Sequence, residues 1–502
     1  MRPEFISVEL LEAESEITQS VDLNAIWMDR FIDIDDPIFA IRYWLDFQQL
    51  NFDSIDALQR HFGEVIGLLD EVINEQLNEI IHHKAFQQLE ASWRGLKYTV
   101  REVAELRGED QVKVKVLNYP WHWLVKDCNK AIEFDQSELF RLIYQNEYSM
   151  PGGEPFGVLI GDYRIQHGDK RRVHQDVDVL RKVTQTAAAA FCPFITSADP
   201  TLLGVDEFAD LATVADISAQ FRQPEYISWT SLRSMEDSRF LAITLPDVLM
   251  REVYRPDGSR AEDFAFIEHC RVAKRDMLWG SAAYSFALVV ARAFIESGWF
   301  GQIRGHQRGQ YKKGIVVNTP SAKQHFPGGL YREKPSVSLR VGDRLEQALA
   351  DCGFIPISAV PDTPLLTFYS NASLHEPAAY ESVGASINAK LSSMMQYILC
   401  VSRFAHYIKV MGRDKIGSYE NAQSIESEFQ RWLHQYTAAS DESTEEVRAK
   451  FPLSEARIKV KEQLGKPGRF FSVVHLQPHF QLDQMVSSIR LITELTPKVH
   501  NG

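Results

Sequence analysis

The sequence predicts a mixed α/β fold that is spread over several domains, and three observations lead to this prediction. The chain has 502 residues, more than one hydrophobic core usually serves. Apolar residues at helical spacing alternate along it with short apolar runs that are typical of strands. Apolar residues make up 45% of the chain and charged residues 24%, as in ordinary globular proteins, so intrinsic disorder and a coiled coil are excluded.

The N-terminal segment is strongly acidic. Residues 1–36 contain ten acidic residues against two arginines, a net charge of −8, whereas the whole chain carries −14. Asp22 can cap a short helix in this segment. The apolar stripe of that helix consists of Leu23, Ile26, Trp27 and Phe31. Such a stripe packs either on the protein's own body or in a groove of another protein, so we assign residues 1–52 as an acidic, partner-facing segment.

Two long amphipathic helices follow this segment. Apolar residues recur at helical spacing over residues 55–69 and again over 86–96, with a break at His82 and His83. Adjacent helical residues point about 100° apart and no third metal ligand lies one turn away, so the histidine pair is predicted to be solvated or capping. The apolar faces of these helices exceed what one body can cover, which predicts an interface.

Three short apolar runs predict a β-α-β layer within residues 53–255. These runs, at residues 158–160, 194–196 and 240–244, are separated by segments of helical pattern, the arrangement of a largely parallel sheet. A segment at 112–117, VKVKVL, alternates as a half-buried strand does.

Asp162 and Asp199 follow two of these runs, at the strand ends where parallel sheets usually hold their ligands. An α/β enzyme that uses either carboxylate is therefore the alternative hypothesis. Against it, the sequence has no dinucleotide or phosphate-binding loop, no H-E-x-x-H and no G-x-S-x-G elbow. An aspartate after a strand is most often a turn or helix cap, so we predict no catalytic residue, no metal and no cofactor.

A basic, glycine-rich stretch at 298–314 lies in a predicted insertion over residues 256–345. It combines four cations without an acid and three aromatic residues: Arg304, Arg308, Lys312, Lys313, Trp299, Phe300 and Tyr311. A nucleic-acid scaffold that uses residues 304–313 is a third hypothesis, and a loop that meets an acidic protein fits equally well. The net negative charge of the chain argues against general affinity for nucleic acid or an anionic membrane.

Cysteine usage and the N-terminus predict a cytoplasmic protein. The five cysteines are odd in number and never form a C-x-x-C, so neither a disulfide framework nor a zinc site is indicated. The N-terminus lacks the pattern of a signal peptide, and no stretch approaches 18 uncharged apolar residues, so no membrane insertion is expected.

The C-terminal region, residues 346–502, predicts a further helix over 425–436 and then a β-hairpin. Residues 456–461 and 469–476 form its strands around a Gly-Lys-Pro-Gly turn at 465–468, and a strand or helix follows at 485–495. The terminal sheet is therefore expected to have an open edge. Candidate partner-binding residues on the hairpin are Ile458, Val460, Phe471 and Val473.

Several long segments resemble one known family. They include QLNEIIHHKAFQQLEASWRGLKYTV at 76–100, PGGEPFGVLIGDY at 151–163, SRFAHYIKVMGRDKIGSYE at 402–420 and GKPGRFFSVVHLQPHFQLD at 465–483. Together with MLWGSAAYSFA at 277–287 and GFIPI at 353–357, they resemble the large sheath subunit of the bacterial type VI secretion system, the TssC family. The resemblance runs in register from about residue 55 to the end of the sequence.

The resemblance implies a structural protomer of a contractile sheath that does mechanical work. Such a subunit pairs with a small sheath subunit, TssB, and the pairs polymerise on a baseplate as a helical tube around an inner tube of Hcp hexamers. Contraction drives the inner tube outward, and a cytosolic ATPase, ClpV, recognises the N-terminal region of the large subunit. The family also implies that the C-terminal sheet shares strands with neighbouring subunits.

Overall fold

A computed structural model of the chain describes residues 27–108, 110–150, 152–167, 173–255, 264, 266–270, 273–306, 313–325, 331–361, 363–414, 422–438, 445–462, 470–479 and 489–495. The chain divides into two compact units. Unit 1 comprises Met1–Glu79 with Arg255–Ile267, and unit 2 comprises Ile80–Tyr254 with Glu268–Gly502. The four segments predicted from the sequence, with boundaries after residues 52, 255 and 345, stay predictions.

The described helices begin with a helical turn at 27–32. The α-helices are α1 Pro37–Gln48, α2 Ile55–His82, α3 Lys84–Glu105, α4 Trp121–Lys130, α5 Glu138–Phe140, α6 Val173–Ala189, α7 Ile217–Phe221, α8 Ile227–Ser234, α9 Ala273–Asp276, α10 Ala283–Ser297, α11 Asp343–Asp351, α12 Val383–Ser392, α13 Met395–Asp414, α14 Ala422–His434 and α15 Glu445–Lys450. The π-helix Arg141–Ser149 follows α5, and 3₁₀ turns lie at Phe134–Gln136, Pro200–Leu203, Phe208–Thr213, Pro224–Tyr226 and Glu236–Phe240.

The described strands form four sheets. The strands are β1 Leu159–Ile165, β2 Phe194–Ala198, β3 Leu241–Leu245, β4 Val248–Leu249, β5 Trp279–Gly280, β6 Ile315–Val316, β7 Ala322–His325, β8 Tyr331–Lys334, β9 Phe354–Ala359, β10 Leu366–Phe368, β11 Leu453–Glu462, β12 Phe470–Pro478 and β13 Ile489–Leu495. β4 pairs with β5 and β7 with β8, both antiparallel.

Unit 1 is helical in its described part. α1 begins after Asp36, whose Oδ1 accepts the Ile38 N–H at 3.2 Å. On α2, the buried Asn74 accepts the Ile267 N–H at 2.8 Å, and Asn78 donates to the Ile267 carbonyl at 3.0 Å. The side chains of these two asparagines, one helical turn apart, thus hydrogen-bond to both backbone groups of Ile267, as a neighbouring strand would. The break predicted at His82 and His83 is confirmed, since α2 ends at His82 and α3 begins at Lys84.

The central sheet of unit 2 has six strands in the order β1-β2-β3-β9-β10-β6. β1, β2, β3 and β9 are parallel neighbours, whereas β10 runs antiparallel to both β9 and β6. The three predicted apolar runs fall in β1, β2 and β3, so the predicted β-α-β layer is confirmed. A long insertion separates β3 from β9, although the two strands are adjacent in the sheet.

Helices cover both faces of this central sheet. Leu241 and Ile243 of β3 face a core that also contains Leu180 of α6, whereas Ala242 faces a core that contains Phe286 of α10. Because successive side chains of a strand point to opposite faces, a strand between two helical layers reads as a continuous apolar run. This is why the runs at 194–196 and 240–244 do not alternate.

The strand predicted at 112–117 is wrong, because these residues belong to no described strand. Val114 and Val116 are exposed, as are the lysines between them. Lys113 Nζ lies 2.6 Å from Glu154 Oε1, and Lys115 Nζ lies 3.2 Å from Glu147 Oε1. Ion pairs rather than a hydrogen-bonded ladder therefore fix this segment.

The C-terminal strands form an antiparallel meander, β11-β12-β13, which confirms the predicted hairpin. The segment at 485–495, left open between strand and helix, contains β13. On β11 and β12 burial alternates, so that Val474 is buried beside Ile458 while Val473 on the other face is half-buried. The buried face packs on α13 and α14 through Phe404 and Phe429.

All five cysteines lie in described positions and none forms a disulfide. Four of them are buried: Cys128, Cys192, Cys352 and Cys400. Among the described residues, no helix combines the length and the apolar character that crossing a membrane requires.

Candidate functional site

The two carboxylates of the alternative enzyme hypothesis have structural contacts. Asp199 caps the 3₁₀ turn after β2, accepting the Thr201 N–H at 3.1 Å and the Thr201 hydroxyl at 2.7 Å. The placement of Asp162 at a strand end is wrong, because β1 continues to Ile165 and Asp162 is an exposed residue within the strand. Burial of Tyr284 and the nearby Asp162 carboxylate together raise the pKa of Tyr284. Asp199 therefore occupies the capping role that aspartates after strands usually have.

A third carboxylate, Asp247, lies beyond the end of β3 and was not singled out from the sequence. Its Oδ2 lies 2.7 Å from Arg164 Nη1, and burial raises the pKa of Asp247 against the opposing effect of that guanidinium. The hydroxyl of Ser197 nearby in the sheet bonds to Thr244 Oγ1 at 2.9 Å. The Asp247–Arg164 pair and the Ser197–Thr244 pair are each satisfied by a partner within the protein, and the enzyme hypothesis is not favoured.

His82 has partners that its sequence neighbours could not reveal. His82, Glu268 and Cys270 place one potential metal-ligand atom each within 4.8 Å of one another. However, Arg251 Nη1 and Nη2 lie 2.5 and 2.9 Å from the two oxygens of Glu268. Burial alone would raise the pKa of Glu268, but the hydrogen bonds from Arg251 and from the Tyr254 N–H lower it. A guanidinium that engages both carboxylate oxygens opposes a metal cation, so this cluster is better described as a buried ion-pair network.

The same network borders a cavity of about 310 Å³ in unit 2. Arg94, Lys97 and Arg101 of α3 line it together with Arg251. Arg94 Nε lies 2.7 Å from Glu90 Oε1, and Arg101 Nη2 lies 2.8 Å from Glu102 Oε1. Most of the positive charge around this cavity is thus already compensated by carboxylates on α3.

The two described aromatic residues of the basic stretch at 298–314 are not available for base stacking. Trp299 and Phe300 are buried, and Trp299 stacks on Phe404 with 4.4 Å between ring centroids. Burial lowers the pKa of Arg304, which points to Met394. Residues 307–312 lie outside the described residues, and Arg308, Tyr311 and Lys312 with them. The described aromatic residues of this stretch are part of the hydrophobic core. They therefore do not form the stacking surface that a nucleic-acid scaffold would need.

The N-terminal apolar stripe packs within unit 1 where the structure describes it. Trp27 stacks on Phe47 with 4.1 Å between ring centroids and lies 5.2 Å from Phe31. Leu23 and Ile26 lie outside the described residues. Met28 and Ile32, which the sequence analysis did not select, are exposed on the same helical turn. A role of the segment in partner binding stays a prediction.

Large apolar side chains are exposed on α2 within unit 1. They include Ile66, Leu68, Leu69, Val72 and Ile73. Val72 is 63% exposed, although a valine normally lies in a core. Five such residues within eight positions form an apolar patch that water solvates poorly.

Unit 2 has its own exposed apolar face on α3. Phe86, Leu89 and Trp93 follow one another at spacings of three and four residues and are all exposed, Trp93 by 63%. On the opposite side of α3, Gly95 packs so closely against Tyr284 of α10 that a β-carbon would overlap the ring. α3 therefore buries one side and leaves an apolar side uncovered among the described residues.

The candidate residues of the C-terminal hairpin separate onto two faces. Ile458 and Val460 are 3% and 6% exposed and belong to the chain's own core. Phe471 and Val473 lie on the other face and are half-buried. On this outer face Phe471 and Val473 lie beside the exposed Lys459 and Lys461. The roles of the four hairpin candidates in partner binding stay predictions.

An aromatic cage around Lys409 was missed from the sequence. Its Nζ lies 5.1 Å from the ring centroids of Tyr144 and Tyr148 and 4.6 Å from that of Phe191. Burial lowers the pKa of Lys409 to about 8. The three rings come from segments more than 200 residues away, so no local pattern could have revealed the cage.

Comparison with known proteins assigns most of the chain to two sheath domains. Residues 63–375 match the EvpB/VC_A0108 tail sheath N-terminal domain, and residues 384–495 match the EvpB/VC_A0108 tail sheath gpW/gp25-like domain. The mixed fold and these two matches define a tail sheath protein.

A similar protein of known description shows which kind of tail sheath protein this is. The chain is 35% identical over 455 residues to a Pseudomonas aeruginosa protein described as type VI secretion system sheath protein TssC1, a match that covers 89% of this chain and 88% of the relative. The chain therefore belongs to the TssC family of type VI secretion sheath proteins, as its sequence segments had indicated.

Proposed function

We propose that this chain is the large structural subunit of a type VI secretion sheath, that it pairs with a small TssB-like subunit, and that the pairs polymerise into a contractile tube. The observation that carries the proposal is the match of two consecutive sheath domains over residues 63–375 and 384–495. The subunit works mechanically and catalyses no reaction. Two observations support this: Asp199 caps the turn after β2, and Asp162 lies within β1 rather than at its carboxyl end.

The exposed apolar residues of α2 and of α3 support obligate pairing. Burying either patch in an interface would contribute a favourable free energy of about 25 cal/mol for every Å² of apolar surface removed from water. The subunit would bury them against the small subunit or a neighbouring protomer. Head-to-tail contacts of this kind produce a helical polymer when the rotation between copies does not close a ring.

Contraction would release energy held in these interfaces. Assembly on an inner Hcp-like tube traps protomers in an extended lattice, and triggering at the baseplate lets them rotate into a denser one. Strands shared through the C-terminal sheet would keep neighbours connected during this rotation, since backbone hydrogen bonds do not depend on side-chain identity. The sheath works in the cytoplasm, without nucleic acid and without insertion in the membrane.

The direct test is co-expression of the chain with a TssB-like small subunit, followed by negative-stain microscopy. We expect hollow tubes from the pair, and aggregates or irregular assemblies from the chain alone. A stable, monodisperse monomer that ignores the small subunit would contradict obligate pairing.

A variant pair on α2 tests the interface itself. Leu69→Asp with Val72→Asp places two charges on the exposed patch and should abolish pairing, because each charge would have to be desolvated in the interface. Glu71→Gln, on the same turn, is the matched control and should form normal tubes. Circular dichroism of both variants should be unchanged, because these positions are exposed in the free chain.

The acidic N-terminus is proposed as the docking segment for a ClpV-like ATPase. Trp27→Asp is a poor probe, because Trp27 packs on Phe47 and the change would also disturb unit 1. Ile32→Asp is sharper, since Ile32 is exposed. We expect this variant to form sheaths but to lose binding of the ATPase; loss of sheaths instead would assign the segment to the lattice.

A further inference from the structure

Side chains of α14 occupy the outer edge of β11. Gln430 Oε1 accepts the Ile458 N–H at 2.9 Å, and Gln430 Nε2 donates to the Ala456 carbonyl at 2.9 Å. One helical turn earlier, Glu426 Oε2 accepts the Val460 N–H at 2.9 Å. These three backbone groups point away from β12, so they are the groups that another strand would use.

The spacing of the two side chains explains why a helix can replace a strand here. Residues four apart rise about 6 Å along a helix, and residues two apart advance about 6.8 Å along an antiparallel strand. Gln430 and Glu426 therefore meet alternate residues of β11 without distortion. The glutamine amide also presents a donor beside an acceptor, as a peptide unit does.

The beginning of β11 is closed by the chain's own backbone. The Leu453 N–H donates to the Tyr436 carbonyl at 3.2 Å, and the Ala438 N–H donates to the Leu453 carbonyl at 2.9 Å. The outer edge of β11 is thus occupied at several points between residues 453 and 460. Its side chains add to this closure, because Ile458 and Val460 are buried against α14 and α13.

The opposite edge of the meander differs. β13 pairs with β12 along its whole length: Ile489 lies opposite Leu476 at one end, and Leu495 lies opposite Phe470 at the other. No other strand in the described part of the chain pairs with β13. An edge strand whose outer groups meet no strand is a template for strand addition.

We propose that Glu426 and Gln430 form an edge seal, which prevents β11 from accepting a strand and directs strand addition from another sheath subunit to β13. The identity of the incoming strand rests on the proposed function, whereas the seal is a property of the chain itself. A sheet that could grow at both edges would link subunits in two directions. With one edge sealed, strand addition to this sheet has a single direction, which suits the repeated head-to-tail contact of a helical polymer.

Amide hydrogen exchange tests the seal on the full chain purified with its small subunit. In the native protein the amides of Ile458 and Val460 should be protected before and after polymerisation. Glu426→Ala with Gln430→Ala should make both exchange at least about tenfold faster, since each loses its acceptor. Gln423→Ala removes an amide from an exposed position of the same helix and should change neither rate.

Photo-cross-linking tests the direction of strand addition. A photoreactive phenylalanine analogue is placed at Lys459 on β11 or at Thr493 on β13, and the polymer is irradiated. We expect intersubunit cross-links from position 493 alone in the native background, and from both positions in the double Ala variant. Gln430→Glu is a milder second variant, because it keeps an acceptor for Ile458 but sets a carboxylate oxygen against the Ala456 carbonyl.

Each outcome decides a separate claim. Cross-links from position 459 in native sheaths would overturn the seal, as would unchanged exchange at Ile458 and Val460 in the double variant. If no sheaths form from the native pair, the proposed function fails, and the exchange rates still decide whether the seal exists.

Discussion

The central sheet and the C-terminal meander of unit 2 are built differently. Every residue of β2, β3, β9 and β10 is buried, and helices cover both faces of the sheet. On β11 and β12 burial alternates, and the helices in the described part of the chain pack on the face that carries the buried residues. The central sheet therefore completes its own core. The meander has a half-buried outer face and, among the described residues, an edge strand, β13, that pairs with no second strand.

The largest effect should come from truncating the central core. Phe354→Ala removes a fully buried ring that lies 5.7 Å from Phe221, and it should lower the free energy of unfolding by about 3–5 kcal/mol. Phe471→Ala on the outer face of the meander is the matched control and should cost about 1 kcal/mol, because the ring is only half-buried. Urea unfolding of the purified complex measures both. Equal losses would remove the distinction between the two regions.

An intermediate effect is expected from Val473→Pro on β12. The Ile458 amide bonds to Gln430, so the next residue, Lys459, and its partner Val473 form a hydrogen-bonded pair across β11 and β12. Proline removes the Val473 donor and leaves the Lys459 carbonyl unpaired, a loss of about 1–3 kcal/mol.

The effect of this variant should be confined to the meander. Hydrogen exchange should increase along β11 and β12 while β2 and β3 stay protected, and pairing with the small subunit should survive while long sheaths are lost. Val473→Ala keeps the N–H and is the control. Normal sheaths from the proline variant would show that β12 is not central to assembly.

The smallest effect concerns α13, the helix that packs on both regions. Its Leu399 belongs to a core of the central sheet and its Ile408 to the core of the meander. Lys409 on this helix is half-buried, with its Nζ among the rings of Tyr144, Tyr148 and Phe191, and this burial lowers its pKa to about 8. At pH 7 the lysine is charged in both the folded and the unfolded states, so the folded state bears the full cost of burying the ammonium.

Lys409→Met should therefore stabilise the protein at pH 7, by about 1–2 kcal/mol, since the surrounding rings offset part of that cost. Between about pH 8 and 10.5 the folded state releases the proton while the unfolded state keeps it, so the native protein gains stability and the advantage of the variant shrinks. Thermal melts at pH 7 and 10 measure this difference. Lys390→Met, at an exposed position, should shift neither melt, and a difference independent of pH would contradict burial as the cause.

The sequence predicted those elements whose pattern is complete within a few residues. The break between α2 and α3, the parallel runs of β1 to β3 and the hairpin of β11 and β12 all have local signals. The alternation at 112–117 has the same local signal but no strand partner, so its lysines pair with carboxylates instead. Alternating apolar and polar residues show that a segment could form a half-buried strand. Whether it pairs with other strands depends on the rest of the fold.

Side-chain contacts between segments that are distant in the sequence could not be predicted locally. Gln430 lies 28 residues from Ile458, and His82 lies 186 residues from Glu268. Each is an ordinary polar residue on an amphipathic helix until the fold brings its partner close. The resemblance to the TssC family indicated the class of protein because it compares long segments from about residue 55 onward instead of single motifs.

The burial of the cysteines gives the protein built-in chemical reporters. Burial raises the pKa of Cys128 and Cys352 to about 11 and that of Cys400 to about 12, and it also raises the pKa of Cys192. Thiolates react with alkylating reagents and thiols hardly do, so these four side chains stay unmodified while their surroundings are closed. Cys400 on α13 belongs to the core of the meander, and Cys192 precedes β2 in the central sheet. The order in which a maleimide labels them during unfolding, or during the contraction that we propose, would time the opening of each region without any added probe.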